Sequence, residues 1–217
     1  MSIISTTDEI RTMADLIERL GGISPSRIRM RPAPGTATKA DLVELDTRGE
    51  KLLELIDGVL VEKALGFREA LLAAALSTLI HQFVKQYKLG VVVGADATME
   101  VLPELVRLPD VAYISWQRLP DGVPKEAIPE LAPDLAVEVL SRTNTRAEMR
   151  CKRRDYFQGG VTQVWIVDPV ARTVQVYSSE ESFVELASGE VLDGGKVLPG
   201  FRLAVADLFA ELDQRPL

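Results

Sequence analysis

The sequence predicts an α/β or α+β fold, a sheet with helices packed against it, and three observations carry that reading. Residues 133–141, from Pro133 to Ser141, read as a buried strand, with Leu135, Val137 and Val139 on one face and Asp134, Ala136, Glu138 and Leu140 on the other. A helical stretch at 145–157 separates this strand from a second apolar run at 164–167, and a connection of that length permits a right-handed crossover between parallel strands. Residues 67–88 form the longest amphipathic pattern, with Leu72, Leu76, Leu79, Ile80, Phe83 and Tyr87 on one face and Gly90 as a stop signal.

The remaining elements follow in order. Ile10, Met13, Leu16, Ile17 and Leu20 keep helical spacing over 7–20, and Gly21 and Gly22 stop that helix. The following segment holds Arg27, Arg29 and Arg31 among prolines and a glycine, and reads as an extended, solvated connector up to Thr38. Asp57 and Gly58 join strands 52–56 and 59–63 into a hairpin. Strands are expected at 91–94, 98–102 and 105–108, with 110–115 continuing the last, and then an irregular loop at 117–131. Thr145 and Glu148 form a capping-box pattern. Additional antiparallel strands at 173–177 and 183–186 are followed by turns around Asp193 and Pro199 and a short helix at 205–212.

Composition narrows the function. The 217 residues are 47% hydrophobic and 26% charged, ordinary for a globular chain. The formal net charge of −7 repels polyanions at long range, so a nucleic-acid partner needs a local cationic site. One cysteine, Cys151, allows no internal disulfide and fits a reducing cytoplasm. The start of the chain has acids at Asp8 and Glu9 and does not read as a signal peptide; the apolar runs are too short to span a membrane. One cysteine and one histidine, His81, argue against a zinc site.

Glu138 is the residue that demands an explanation. A carboxylate inside an apolar strand needs a cation, a metal or a proton. Asp110, between Pro109 and Val111, stands at the start of a strand; if that strand pairs with the one holding Glu138, the two carboxylates can lie within about 5 Å. Oxygen ligands of this kind select hard cations such as Mg²⁺ or Mn²⁺. The structural alternative is a turn cap for Asp110 and a buried arginine partner for Glu138. Lys152 and Arg153 both project to the inward side of the helix at 145–157, and helical geometry does not choose between them. Glu69 opens the long helix, where an acid commonly serves the helix dipole.

In these residues the chain resembles the Uma family of endonucleases, in the PD-(D/E)XK nuclease superfamily. The matching segments are Glu54 to Gly58, Leu108 to Ala112, Ala132 to Ser141, Lys152 with Tyr156, Val164 to Pro169, Leu192 to Gly195 and Leu198 to Phe201. The resemblance implies an α/β fold with a restriction-endonuclease-like core, a four-stranded mixed sheet between two helices. It also implies a nuclease-like domain over 51–217, preceded by an N-terminal helix and connector over 1–50. Asp110 matches the strand aspartate and Glu138 the second acid, both expected to hold Mg²⁺ or Mn²⁺. The superfamily lysine two residues after that acid is Leu140 here, and Lys152 matches a lysine that the family carries on the following helix. Glu69 falls where the superfamily has a first-helix glutamate.

The implied activity is Mg-dependent endodeoxyribonuclease action on DNA, with Asp110, Glu138, Lys152 and Glu69 catalytic. The rival reading is an inactive nuclease-fold module that binds nucleic acid or protein; the acidic charge and Leu140 favour it. The apolar 164–167 strand and the hairpins beyond it lead to the expectation of a homodimer, because exposed sheet edges invite pairing.

Overall fold

The computed structural model describes residues 10–49, 52–64 and 66–213. Helix α1 (Met13–Arg19) begins where Thr12 and Asp15 close a reciprocal capping box. It is therefore shorter than the apolar spacing suggests; of the expected stretch, 7–9 lie outside the described residues. A turn of 3₁₀ helix at Pro25–Arg27 leads to α2 (Lys39–Thr47), capped by Thr38 and Asp41. The connector expected here thus contains a helix that its weak apolar pattern hides. Nor is Arg27 solvated: it is buried, donates to Glu62 O at 2.7 Å and meets Glu148 Oε1 at 2.8 Å.

The hairpin forms as read, with β1 (Leu53–Ile56) and β2 (Val59–Glu62) joined through Asp57 and Gly58, both at positive φ. Helix α3 (Phe67–Tyr87) follows, burying Leu72, Leu76, Ile80 and Val84. Lys88, at φ 55°, takes the left-handed position that ends it. Gly90 has another reason to be glycine: a Cβ there would lie 2.0 Å from Ile114 O, in the adjoining strand.

Strands β3 (Gly90–Gly94), β4 (Met99–Leu102), β5 (Leu105–Arg107), β6 (Val111–Ser115) and β7 (Leu135–Val139) come next. Helix α4 (Arg146–Gln158), with the Thr145–Glu148 capping box in place, precedes β8 (Gln163–Asp168), β9 (Thr173–Tyr177) and β10 (Phe183–Leu186). A small pair, β11 (Val191–Asp193) and β12 (Arg202–Ala204), stands where only turns were expected, and α5 (Val205–Ala210) closes the described chain.

The strands make two larger sheets. The central one is six-stranded and mixed, in order β10-β9-β8-β7-β6-β3, with β7 and β8 parallel across the α4 crossover. The second is antiparallel, in order β2-β1-β5-β4. The expected continuity of β5 into β6 is therefore wrong. The chain changes sheets at Leu108, Pro109 and Asp110, where a proline cannot donate to a ladder.

Side-chain alternation divides the central sheet cleanly. Val111, Tyr113, Leu135, Val137, Val139, Trp165 and Val167 join α3, α5 and the β11–β12 region in one core. Ala112, Ile114, Ala136, Val164 and Ile166 face α4 and β4 in another, with Met99, Met149 and Tyr156. The whole 164–167 run is consequently buried within the chain, and the exposed apolar side chains of this sheet lie on β10, at Phe183 and Val184. The N-terminal region packs on the hairpin through Leu16, Leu20, Ile23 and Ile28 against Val59 and Val61. It also reaches α4, where Gly21, at φ 82°, passes so close that a Cβ would lie 2.5 Å from Glu148 N.

Candidate active site

Each of the two sheets contributes one charged pair set by strand register. In the central sheet Val111 faces Val137, so the antiparallel ladder sets Asp110 opposite Glu138. The Asp110 backbone N–H donates to Val137 O at 2.8 Å, and Asp110 Oδ2 accepts from the Val139 N–H at 2.7 Å. In the second sheet Leu55 faces Val106, which sets Glu54 opposite Arg107. Arg107 Nη1 donates to Glu54 Oε2 at 2.8 Å, and Arg107 Nη2 to Asp155. Glu54 Oε1 also accepts from the Leu108 N–H at 3.4 Å.

Lys152 of α4 ties these pairs together. Its Nζ lies 3.0 Å from both Glu138 carboxylate oxygens and 3.1 Å from Glu54 Oε1. Tyr156, one turn further along, donates its hydroxyl to Glu138 Oε1 at 2.6 Å. Lys152 and Glu138 are only 3% and 4% exposed. The choice between Lys152 and Arg153 is made by packing: Arg153 turns away, stacking over the Tyr177 ring at 4.2 Å and donating to the Tyr177 hydroxyl and Glu180 O.

The third cation of the cluster is Lys63, just past β2. Its Nζ lies 2.9 Å from Asp110 Oδ1 and donates to Leu108 O at 2.5 Å and Ala95 O at 3.3 Å. Glu69 stands apart. Its carboxylate folds back over the start of α3, where a Cβ built on Gly66 would lie 2.0 Å from Oε2. Among the described residues no hydrogen bond or ion pair joins Glu69 to the cluster.

The electrostatics follow from burial and partner count. Burial pushes the Glu138 carboxyl above its ordinary range; Lys152 opposes this, and neighbouring Asp110 adds to it. Burial acts on Glu54 in the same sense, but Lys152, Arg107 and Lys63 outweigh it and hold that carboxyl at about 2. Burial alone would favour a neutral Lys152 amine, yet Glu138 and Glu54 together hold its pKa above the usual lysine range. Burial, then the charges of Glu138 and Glu54, push Tyr156 well up, so its phenol keeps the proton that it donates.

Asp110 and Glu138 fit a hard divalent cation in type. They are oxygen donors, directly opposed, and Mg²⁺ commonly takes only one or two protein carboxylates beside water and substrate phosphate. Among the described residues no group of three or more Asp, Glu, His or Cys side chains forms a metal cage. Glu54, Lys63, Arg107 and Tyr156 received no role from the sequence. The signal for Glu54 was present, an acid between Leu53 and Leu55 in a strand, as was that for Arg107 between Val106 and Leu108.

The sheet order and helix placement define a restriction-endonuclease-like fold. A model of the Uma2 family, described as "Putative restriction endonuclease", matches residues 40–206, and the chain belongs to that family. Among solved structures, the chain is similar to a putative nuclease of the family DUF820 from Anabaena variabilis ATCC 29413. That likeness has a TM-score of 0.70 at 19% identity and covers 81% of this chain and 98% of the other. No curated protein matches.

Proposed function

We propose that the protein is a metal-dependent endonuclease that hydrolyses phosphodiester bonds in DNA, with Asp110 and Glu138 holding Mg²⁺ or Mn²⁺ and Lys152 assisting. The observation that carries this reading is the cross-strand opposition of Asp110 and Glu138 with Lys152 bonded to Glu138. When bound, such a cation supplies polarisation of the phosphoryl oxygen and acidification of the attacking water. The protein's own part is to fix the carboxylates. The Val139 N–H orients Asp110, and the Tyr156 hydroxyl with Lys152 orients Glu138. Lys152 also brings a permanent positive charge to a site that must receive an anionic phosphodiester.

On this reading DNA is the substrate and the cytoplasm the location, the latter on cysteine usage. Among the described residues no helix is long and apolar enough to cross a membrane. A homodimer is part of the same reading. Its support is the edge strand β10, where Phe183 and Val184 are exposed.

The test is cleavage of supercoiled plasmid and single-stranded DNA with Mg²⁺ or Mn²⁺, with Asp110→Asn and Glu138→Gln as controls. Metal-dependent nicking by the wild type, absent from both variants, is the expected result. The rival reading, an inactive nuclease-fold module, is favoured by one observation: Lys63 and Lys152 already neutralise the two carboxylates within the protein. DNA binding without cleavage under every metal condition would establish that alternative.

A further inference from the structure

Lys63 lies in a cradle made entirely of oxygen. Asp110 Oδ1, Leu108 O and Ala95 O surround its Nζ, at 2.9, 2.5 and 3.3 Å. They come from the sheet-changing segment after β5 and from the turn after β3, which the fold brings together at the Asp110 end of the central sheet. A carboxylate and two carbonyls form a donor set suited to a hard cation, and here an ammonium fills it. Three N–H donors meet three acceptors, so the lysine is fully satisfied there. Its stem is buried and its backbone is fixed by the Lys63 N–H to Leu52 O bond at 2.9 Å. A divalent ion against Asp110 and an ammonium 2.9 Å from the same carboxylate repel each other strongly in a site this buried.

We infer that Lys63 is a tethered counter-ion to Asp110 and that a divalent cation binds this site only in exchange for its ammonium. The apo protein is thereby spared an unpaired, partly buried carboxylate. It also follows that the metal affinity of the wild type is set by competition with a side chain of the same molecule. The inference rests on the proposed metal role of Asp110, and its test separates the two ideas.

Mn²⁺ binding to the full chain is measured by titration calorimetry and by the thermal shift that Mn²⁺ produces. The proteins compared are wild type, Lys63→Met, Lys63→Gln and Asp110→Asn. Lys63→Gln retains an N–H donor for the two carbonyls and covers the case in which Lys63→Met does not fold. Removing the competing charge is expected to tighten Mn²⁺ binding about tenfold or more and to enlarge the thermal shift. Asp110→Asn is expected to abolish both. In the wild type, titration with Mg²⁺ is expected to move the Lys63 ¹⁵Nζ resonance, a readout independent of any variant.

Equal Mn²⁺ affinity in wild type and the Lys63 variants, with loss in Asp110→Asn, overturns the exchange and leaves the metal site standing. An unmoved Lys63 resonance at saturating Mg²⁺ overturns it too. Absence of binding in every protein overturns the metal site and the exchange together.

Discussion

Lys152 Nζ stands between Glu54 and Glu138, 3.1 Å from the first and 3.0 Å from the second, and so joins the two sheets through a single ammonium. The two carboxylates are unequal. Glu54 has Arg107 as a second cation and an N–H from Leu108, whereas Glu138 has the Tyr156 hydroxyl and shares its lysine.

That inequality predicts opposite responses to the same substitution. Glu54→Gln leaves Lys152 and Arg107 buried with one carboxylate fewer and is expected to cost about 3–5 kcal/mol at pH 7. Glu138→Gln removes a charge that burial already disfavours and is expected to leave apo stability unchanged or slightly raised. Denaturant unfolding of both variants measures this; equal losses would contradict the assignment of Glu54 as the better-paired acid.

The pH dependence has a definite sign. Glu54 titrates near 4.5 when unfolded and at about 2 when folded, so between those values the unfolded chain binds more protons. Its contribution is fully present above pH 4.5 and is lost as pH falls toward 2, amounting to about 3 kcal/mol. Glu138 has the reverse sign: its folded pKa is raised, so stability drains away as pH rises from its unfolded value through the folded one. Unfolding curves from pH 2 to 7 should show the acid limb flattened in Glu54→Gln and kept in Glu138→Gln.

Tyr156→Phe deletes only the hydroxyl that donates to Glu138 Oε1. With a buried acceptor left short of a partner, the expected loss is about 1–3 kcal/mol. If the nuclease reading holds, DNA cleavage should also fall, because Glu138 loses one of its two orienting contacts. Unfolding and plasmid nicking measured side by side check both halves.

Lys152→Met strands Glu54 and Glu138 together and is expected to be more damaging to stability than either single acid-to-amide change, by thermal unfolding without metal. A variant as stable as wild type would show that the lysine does not bridge the sheets in solution.

The proposed homodimer is tested by light scattering at micromolar concentration, with Val184→Lys to charge the β10 edge. A dimer converted to monomer by that change is the expected result; a wild-type monomer ends the idea.

How much of this was legible varies by residue. Glu138 announced itself because a carboxylate inside Val137 to Val139 breaks a local apolar pattern, and the alternation also told which face it shares. Glu54 and Arg107 break their own strands in the same way, yet they are 53 residues apart and nothing local reveals that they face each other. Helix α2 was hidden because its apolar residues, Ala40, Leu42, Val43 and Leu45, do not gather on one face, although Thr38 and Asp41 carry the same kind of capping signal that marked α4.

The sequence by itself determined the period of the strands around Glu138 and Trp165, the α4 crossover, the Thr145–Glu148 cap and the hairpin, because those depend on dihedral preference and side-chain spacing within a few residues. Only the tertiary structure decided that β5 and β6 belong to different sheets, that Lys152 rather than Arg153 meets Glu138, and that Lys63 arrives at Asp110. Those outcomes depend on strand register and on how buried charges find partners across distant segments, a balance of desolvation against pairing that no local stretch contains.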